Sequence, residues 1–114
     1  MKNEVILKAL SGDLYMVVNG FDIVPAGFVT DGASIPRFLW RLLGHPFQSD
    51  YIDVFILHDY RYQTGEIPRS VADDEMLAGL EARGMGYVKR YTIYWGVRLF
   101  GASHYNSENT NKEV

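Results

Sequence analysis

The chain has 114 residues, 47% hydrophobic and 22% charged, which suits the modest core of one soluble domain and is too short for two. Eleven basic and 14 acidic side chains leave a net charge of -3, which argues against a nucleic-acid binder held by phosphate contacts. The absence of cysteine excludes disulfides and thiolate metal sites and fits a reducing compartment. No apolar run approaches the roughly 20 residues of a membrane span. The N-terminus also lacks the apolar core of a signal peptide, so a cytoplasmic protein is expected.

To about Thr30 the pattern is that of strands. "EVILKAL" opens β-branched and apolar, and "SGD" breaks it. "LYMVVNGFDIV" reads as two short strands around Asn19-Gly20, a dipeptide that tolerates the positive φ of a tight hairpin turn. Pro25 and Gly27 punctuate the exit, and a sheet of three or four antiparallel strands is expected.

Helices follow. Pro36 suits a first helical turn, where its missing N–H costs nothing, and Gly44 with Pro46 makes a stop. A second helix is predicted over roughly Asp50 to Tyr62, with Tyr51, Val54, Phe55, His58 and Tyr62 on one face. A third begins near Ser70, where Ser70 and Asp73 have the spacing of an acidic capping box. A fourth runs from about Gly86 to Gly101, with Val88, Tyr91, Trp95 and Leu99 as its apolar stripe. Strands followed by helices give an α+β domain over residues 1–103. Residues 104–114 are polar and are expected to fray.

The chemistry centres on His58-Asp59 in "ILHDYRY". Adjacent helical residues point about 100° apart, so both side chains can reach one ion or one water beside a pocket. Imidazole and carboxylate suit Zn, Mn, Fe or Mg. Asp73, Asp74 and Glu75 follow 15 residues on, and His45 precedes His58 by 13. The order His…His-Asp…Asp resembles the ligand order of metal-dependent HD phosphohydrolases, on shorter spacings. The candidate metal ligands are His58, Asp59 and Asp73, for a divalent ion (Zn, Mn or Mg). The candidate catalytic set is His58, Asp59, Asp31 and Ser34. Ser34 lacks the G-x-S-x-G elbow and needs a base within reach to act as a nucleophile.

The same residues have plain structural readings. His58 is equally a core histidine bonded to Asp31, Asp73 or a backbone carbonyl. Asp73 is equally a cap, and Asp74 and Glu75 solvated acids near a helix N-terminus. Tyr87, Lys89, Arg90, Tyr94 and Arg98 on the last helix suit a docking face, or a solvated face beside a core stripe. "GASIP" has one glycine and is no phosphate loop.

"VPAGFVTDGASIPR", "LHDYRY", "SVADDEMLAGL" and "YWGVRLFG", in this order, resemble the phage and prophage proteins grouped as domain of unknown function 1353. The likeness covers roughly Tyr15 to Gly101. It falls on Phe28, Thr30, Asp31, Ala33, Ser34 and Pro36, on His58, Asp59, Tyr60 and Tyr62, on Ala72, Asp73 and Leu80, and on Val97 and Gly101. Two positions depart from it: Arg61, where an apolar residue is usual, and Glu75, where an aliphatic one is. The resemblance implies a phage or prophage origin, hence the host-cell cytoplasm, and no known reaction. The shared residues are mostly polar, which suggests the "TDGAS" loop over the second and third helices with Asp31 orienting His58.

Three functional readings follow. The first is a metal- or base-assisted hydrolase built on Asp31, His58, Asp59 and Asp73, with a concave site. The second is a non-enzymatic protein that binds a host or virion partner. It would show an exposed aromatic patch on the last helix, and its His/Asp cluster would be a hydrogen-bond network. The third is a small-ligand protein that takes a nucleotide signal, with Arg37, Arg41 or Arg61 facing the ligand. The aromatic surplus makes a homodimer a further expectation.

Overall fold

The structure is a computed structural model that describes residues 5–10, 14–32, 35–43 and 50–106. Two compact units divide the chain, Met1–Asp31 and Gly32–Val114. The layout is α+β, a three-stranded antiparallel sheet followed by four helices.

The first unit holds β1 (Leu7–Ala9), β2 (Tyr15–Val17) and β3 (Val29–Thr30), in that spatial order. Leu7 lies opposite Val17, and Tyr15 opposite Thr30. Val17, Phe21 and Val24 are its buried apolar residues. The chain reverses at Asp22-Ile23 rather than at Asn19-Gly20. Phe21 and Val24 exchange both backbone hydrogen bonds, at 3.0 and 2.8 Å, and Asp22 takes a φ of 49°. Aspartate tolerates that conformation, and the shift turns two apolar side chains inward. Gly20 serves another purpose: a Cβ there would sit 3.0 Å from the Val24 carbonyl oxygen.

In the second unit Pro36 precedes a 3₁₀ turn, Arg37–Leu39, which runs into α1 (Trp40–Leu43). Then come α2 (Ile52–Thr64), α3 (Arg69–Ala82), α4 (Tyr87–Phe100) and a closing 3₁₀ turn, Ala102–His104. The expected stop at Gly44 and Pro46 lies outside the described residues. Helix α2 buries Val54, Phe55, His58 and Tyr62, the face its three- and four-residue spacing predicts. Helix α3 buries Ala72, Asp73, Met76 and Leu80, and at Gly79 it passes so close to α2 that a Cβ would lie 3.1 Å from a Val54 methyl.

Helix α2 ends on Gly65 at φ 62°, a left-handed cap that favours glycine. The position is doubly fixed, because a Cβ there would fall 1.6 Å from the Asn106 carbonyl oxygen. The Asn106 backbone N–H returns to the Tyr62 carbonyl at 2.8 Å. The segment after α4 is thereby tied across the end of α2.

Two expectations about helix faces are corrected. The capping box is absent: α3 starts one residue earlier, on Arg69 after Pro68, with no side-chain cap. Ser70 thus lies inside the helix, while Asp73 turns into the core, fully buried. The stripe on α4 is reversed as well. Val88, Trp95 and Leu99 are 77%, 55% and 69% exposed, while Ile93, Gly96 and Val97 are buried. Gly96 explains the choice of inner face. A Cβ there would lie 2.4 Å from Leu39 Cδ1, so the smallest position on α4 is where the 3₁₀ turn packs.

Candidate functional site

Three helices converge on Asp73. His58 and Tyr62 are one turn apart on the inner face of α2, Asp73 lies on the second turn of α3, and Arg98 sits on the last turn of α4. His58 Nε2 lies 2.8 Å from Asp73 Oδ1, and the Tyr62 hydroxyl donates to the same oxygen at 2.6 Å. Arg98 Nη1 donates to Oδ2 at 2.8 Å. The side chains of His58 and Asp73 have no exposed surface. The His58 and Tyr62 rings stack at a tilt, 4.3 Å between centroids.

Arg69 extends the network. Its Nε donates to the Tyr62 hydroxyl at 3.1 Å, and its Nη2 to the Val97 and Arg98 carbonyls at 2.8 and 2.6 Å. The last carbonyls of a helix carry partial negative charge, and the Val97 carbonyl also accepts the Gly101 N–H at 2.8 Å. Arg69 supplies both donors and charge to the end of α4 from the start of α3. Tyr105 closes the far side, its ring edge-on to Tyr62 at 5.5 Å and its hydroxyl donating to the Ile67 carbonyl at 2.5 Å.

The electrostatics follow from this packing. Burial pushes the Asp73 carboxyl up, but hydrogen bonds from His58, Tyr62 and Arg98 outweigh it and hold the group below its ordinary value. An ionised carboxylate only accepts, so His58 Nε2 carries the proton between them. Burial, then the bond to Asp73, raises the Tyr62 phenol far above the usual tyrosine range. The Asp73 bond raises the Arg98 guanidinium, against a smaller lowering by burial. The centre is one buried carboxylate satisfied by three side-chain donors.

His58 and Asp73 are therefore brought together. Asp59, buried beside them in sequence, accepts from Gln63 Nε2 at 3.2 Å one turn on. Asp31 is exposed at the end of the first unit, and Ser34 and His45 lie outside the described residues. Asp74 faces Tyr94, whose hydroxyl donates to it at 3.0 Å. A divalent ion at Asp73 would meet oxygens already taken by donors, beside the Arg98 guanidinium. Among the described residues no three His, Cys, Asp or Glu side chains are placed to hold a metal ion.

Sequence reasoning missed Arg69 and Arg98 as members of this network. One signal was present for Arg69. A cation in the first turn of a helix opposes the helix dipole, so its place there implies an acceptor elsewhere. A second relation joins Arg61 and Glu75. Arg61 Nε and Nη2 each reach a Glu75 carboxylate oxygen at 3.1 Å, forming one bidentate pair between α2 and α3.

An open feature among the described residues of the second unit lies elsewhere, along the outer face of α4. A groove of about 480 Å³ is lined by Phe38, Val88, Tyr91, Trp95, Leu99 and Phe100, among others. Phe38 and Phe100 meet edge to face at 5.4 Å at one end. The Arg90 guanidinium lies over the Tyr87 and Tyr91 rings, 5.3 and 5.5 Å from their centroids. No described helix is long and apolar enough to cross a membrane.

The family model described as "Protein of unknown function (DUF1353)" matches residues 14–97. Over 78 residues, 68% of the chain, the sequence is 33% identical to "Uncharacterized protein y4jT" of Sinorhizobium fredii. The matched stretch is 23% of that relative's length. No solved structure matches.

Proposed function

We propose that this chain, which belongs to the DUF1353 family, is a binding module rather than an enzyme: a buried polar hub fastens α2, α3 and α4, and the outer face of α4 receives a protein partner. The exposed apolar face of α4 carries the reading. Phe38, Val88, Leu99 and Phe100 are each more than half exposed, and large contiguous apolar patches on soluble proteins mark interaction sites. The hub supports the same division. Its carboxylate is sealed and satisfied, a combination that suits a structural network better than a group that must meet a substrate.

The test is turnover. Purified protein is incubated with phosphoester and amide substrates, with and without Zn²⁺, Mn²⁺ or Mg²⁺, beside a folded His58→Gln variant. The binding reading predicts no turnover that the variant loses. A rate abolished by His58→Gln in a still-folded protein would establish the hydrolase reading instead.

A further inference from the structure

We infer that Asn19-Gly20 is a site of spontaneous covalent modification, at which the Gly20 nitrogen closes on the Asn19 side chain and the amide leaves as ammonia. The pair has the composition of a hairpin turn, yet the chain reverses at Asp22-Ile23. The fold instead leaves the pair exposed and unladdered between two anchored neighbours.

Asn19 and Gly20 are both exposed and lie outside any strand or helix, between β2 and the Phe21–Val24 bridge. On one side the Val18 N–H is bonded to the Ile6 carbonyl at 2.8 Å. On the other the Phe21 N–H is bonded to the Val24 carbonyl at 3.0 Å. The Gly20 N–H between them makes no hydrogen bond among the described residues. Its partner is therefore water, and it gives up its proton without breaking a bond of the fold. Gly20 also has no Cβ to crowd its nitrogen or restrict its dihedrals. Packing holds glycine at this position, because a Cβ would sit 3.0 Å from the Val24 carbonyl oxygen and 3.1 Å from the Ala26 nitrogen. The fold thus requires the least hindered residue directly after an exposed, thermolabile amide. The other asparagines, Asn3, Asn106, Asn109 and Asn111, precede glutamate, serine, threonine and lysine, whose Cβ atoms hinder the same approach.

The step needs only water. Water or hydroxide takes the Gly20 N–H proton, the nitrogen bonds to Asn19 Cγ, and the Cγ–Nδ2 bond breaks. Nδ2 takes up a proton and leaves as ammonia, and the ring formed is a succinimide. Water then opens either carbonyl. Opening at Cγ leaves an aspartate at position 19. Opening at the main-chain carbonyl leaves an isoaspartate, whose chain runs on to Gly20 through Cβ and Cγ. Either product adds one negative charge to a chain of net charge -3, a change with electrostatic consequences of its own. The isoaspartate also lengthens the main chain between Val18 and the buried Phe21, which loosens the Phe21–Val24 turn.

The experiment incubates the folded protein at pH 8 and 37 °C in ¹⁸O-labelled water, beside Asn19→Gln and a synthetic peptide of residues 14–26. Isoelectric focusing and peptide mapping read the products. A more acidic form is expected to accumulate in the wild type and not in Asn19→Gln, with heavy oxygen at position 19 and isoaspartate among the products. Amide exchange at Phe21 and Val24 is expected to be faster in that form. An Asn19 that stays intact in the folded protein after the peptide has converted overturns the inference, because the fold then shields the pair. Earlier conversion at another asparagine overturns it too. So does aspartate without isoaspartate, which means direct hydrolysis of the amide with no ring.

Discussion

Tyr62 and Asp73 meet hydroxyl to carboxylate at 2.6 Å in the interior between α2 and α3. The same hydroxyl accepts from Arg69 Nε at 3.1 Å, so one phenol joins a buried anion to the cation that caps α4. A tyrosine here does what phenylalanine cannot, acting as donor and acceptor at once.

Replacing Asp73 with Asn places an amide N–H against the Arg98 guanidinium and removes the charge that three donors converge on. The expected loss is about 3 kcal/mol, the scale of a broken buried ion pair discounted for the partial exposure of Arg98. The pH dependence has a definite sign. Asp73 is depressed in the native state, so its contribution is complete above about pH 4, the unfolded value. It is lost as pH falls through the lower native value. Urea melts from pH 7 to pH 2 check this: the acid limb of the wild type should be flatter in Asp73→Asn.

Tyr62→Phe leaves Arg69 Nε without its hydroxyl acceptor and takes one donor from Asp73. The expected cost is about 1–3 kcal/mol at neutral pH. The native phenol is raised, chiefly by burial. Its stabilisation is thus full below about pH 10 and fades as pH climbs toward the native value. Alkaline melts should show this decline in the wild type and a weaker one in the variant.

Arg61 and Glu75 are a pair to be tested together. Each is partly exposed, so the ion pair itself is expected to contribute about 0.5–1 kcal/mol. Arg61→Leu and Glu75→Leu should each destabilise, and the double variant should recover most of the loss as an apolar contact. A double-mutant cycle by urea denaturation reads the coupling directly.

Gly65→Ala forces a Cβ onto the Asn106 carbonyl in a left-handed conformation. The backbone term alone is of order 1–3 kcal/mol. The variant should release the segment Ala102–Asn106 from the end of α2 before the helices unfold. Faster amide exchange at Asn106, whose N–H bonds the Tyr62 carbonyl, is the expected readout.

The helices of the second unit were legible from spacing, and so was the inner face of α2. His58 and Asp73 were each legible as polar candidates, since a purely apolar core has no use for an imidazole and an acid, but the sequence left Asp31, Asp73 and a backbone carbonyl open as the partner of His58. The orientation of α4 was not. Its stripe of Val88, Trp95 and Leu99 satisfies the periodicity of a buried face, and periodicity cannot say which face a neighbour covers. Gly96 held the missing information: a glycine mid-helix costs stability and is kept where another chain segment must approach. The turn at Asp22-Ile23 was missed because Asn19-Gly20 is the stronger local signal, and a close backbone approach can require glycine just as a turn does.

The most direct test of the central division is one set of urea melts at pH 7, comparing Asp73→Asn with a Val88→Ser/Leu99→Ser double variant. The account predicts that the hub variant loses several kcal/mol while the groove variant stays within about 0.5 kcal/mol per substitution of wild type, as exposed positions do. A groove variant that unfolds beside a hub variant that does not would contradict it, making α4's outer face the core and Asp73 dispensable to the fold.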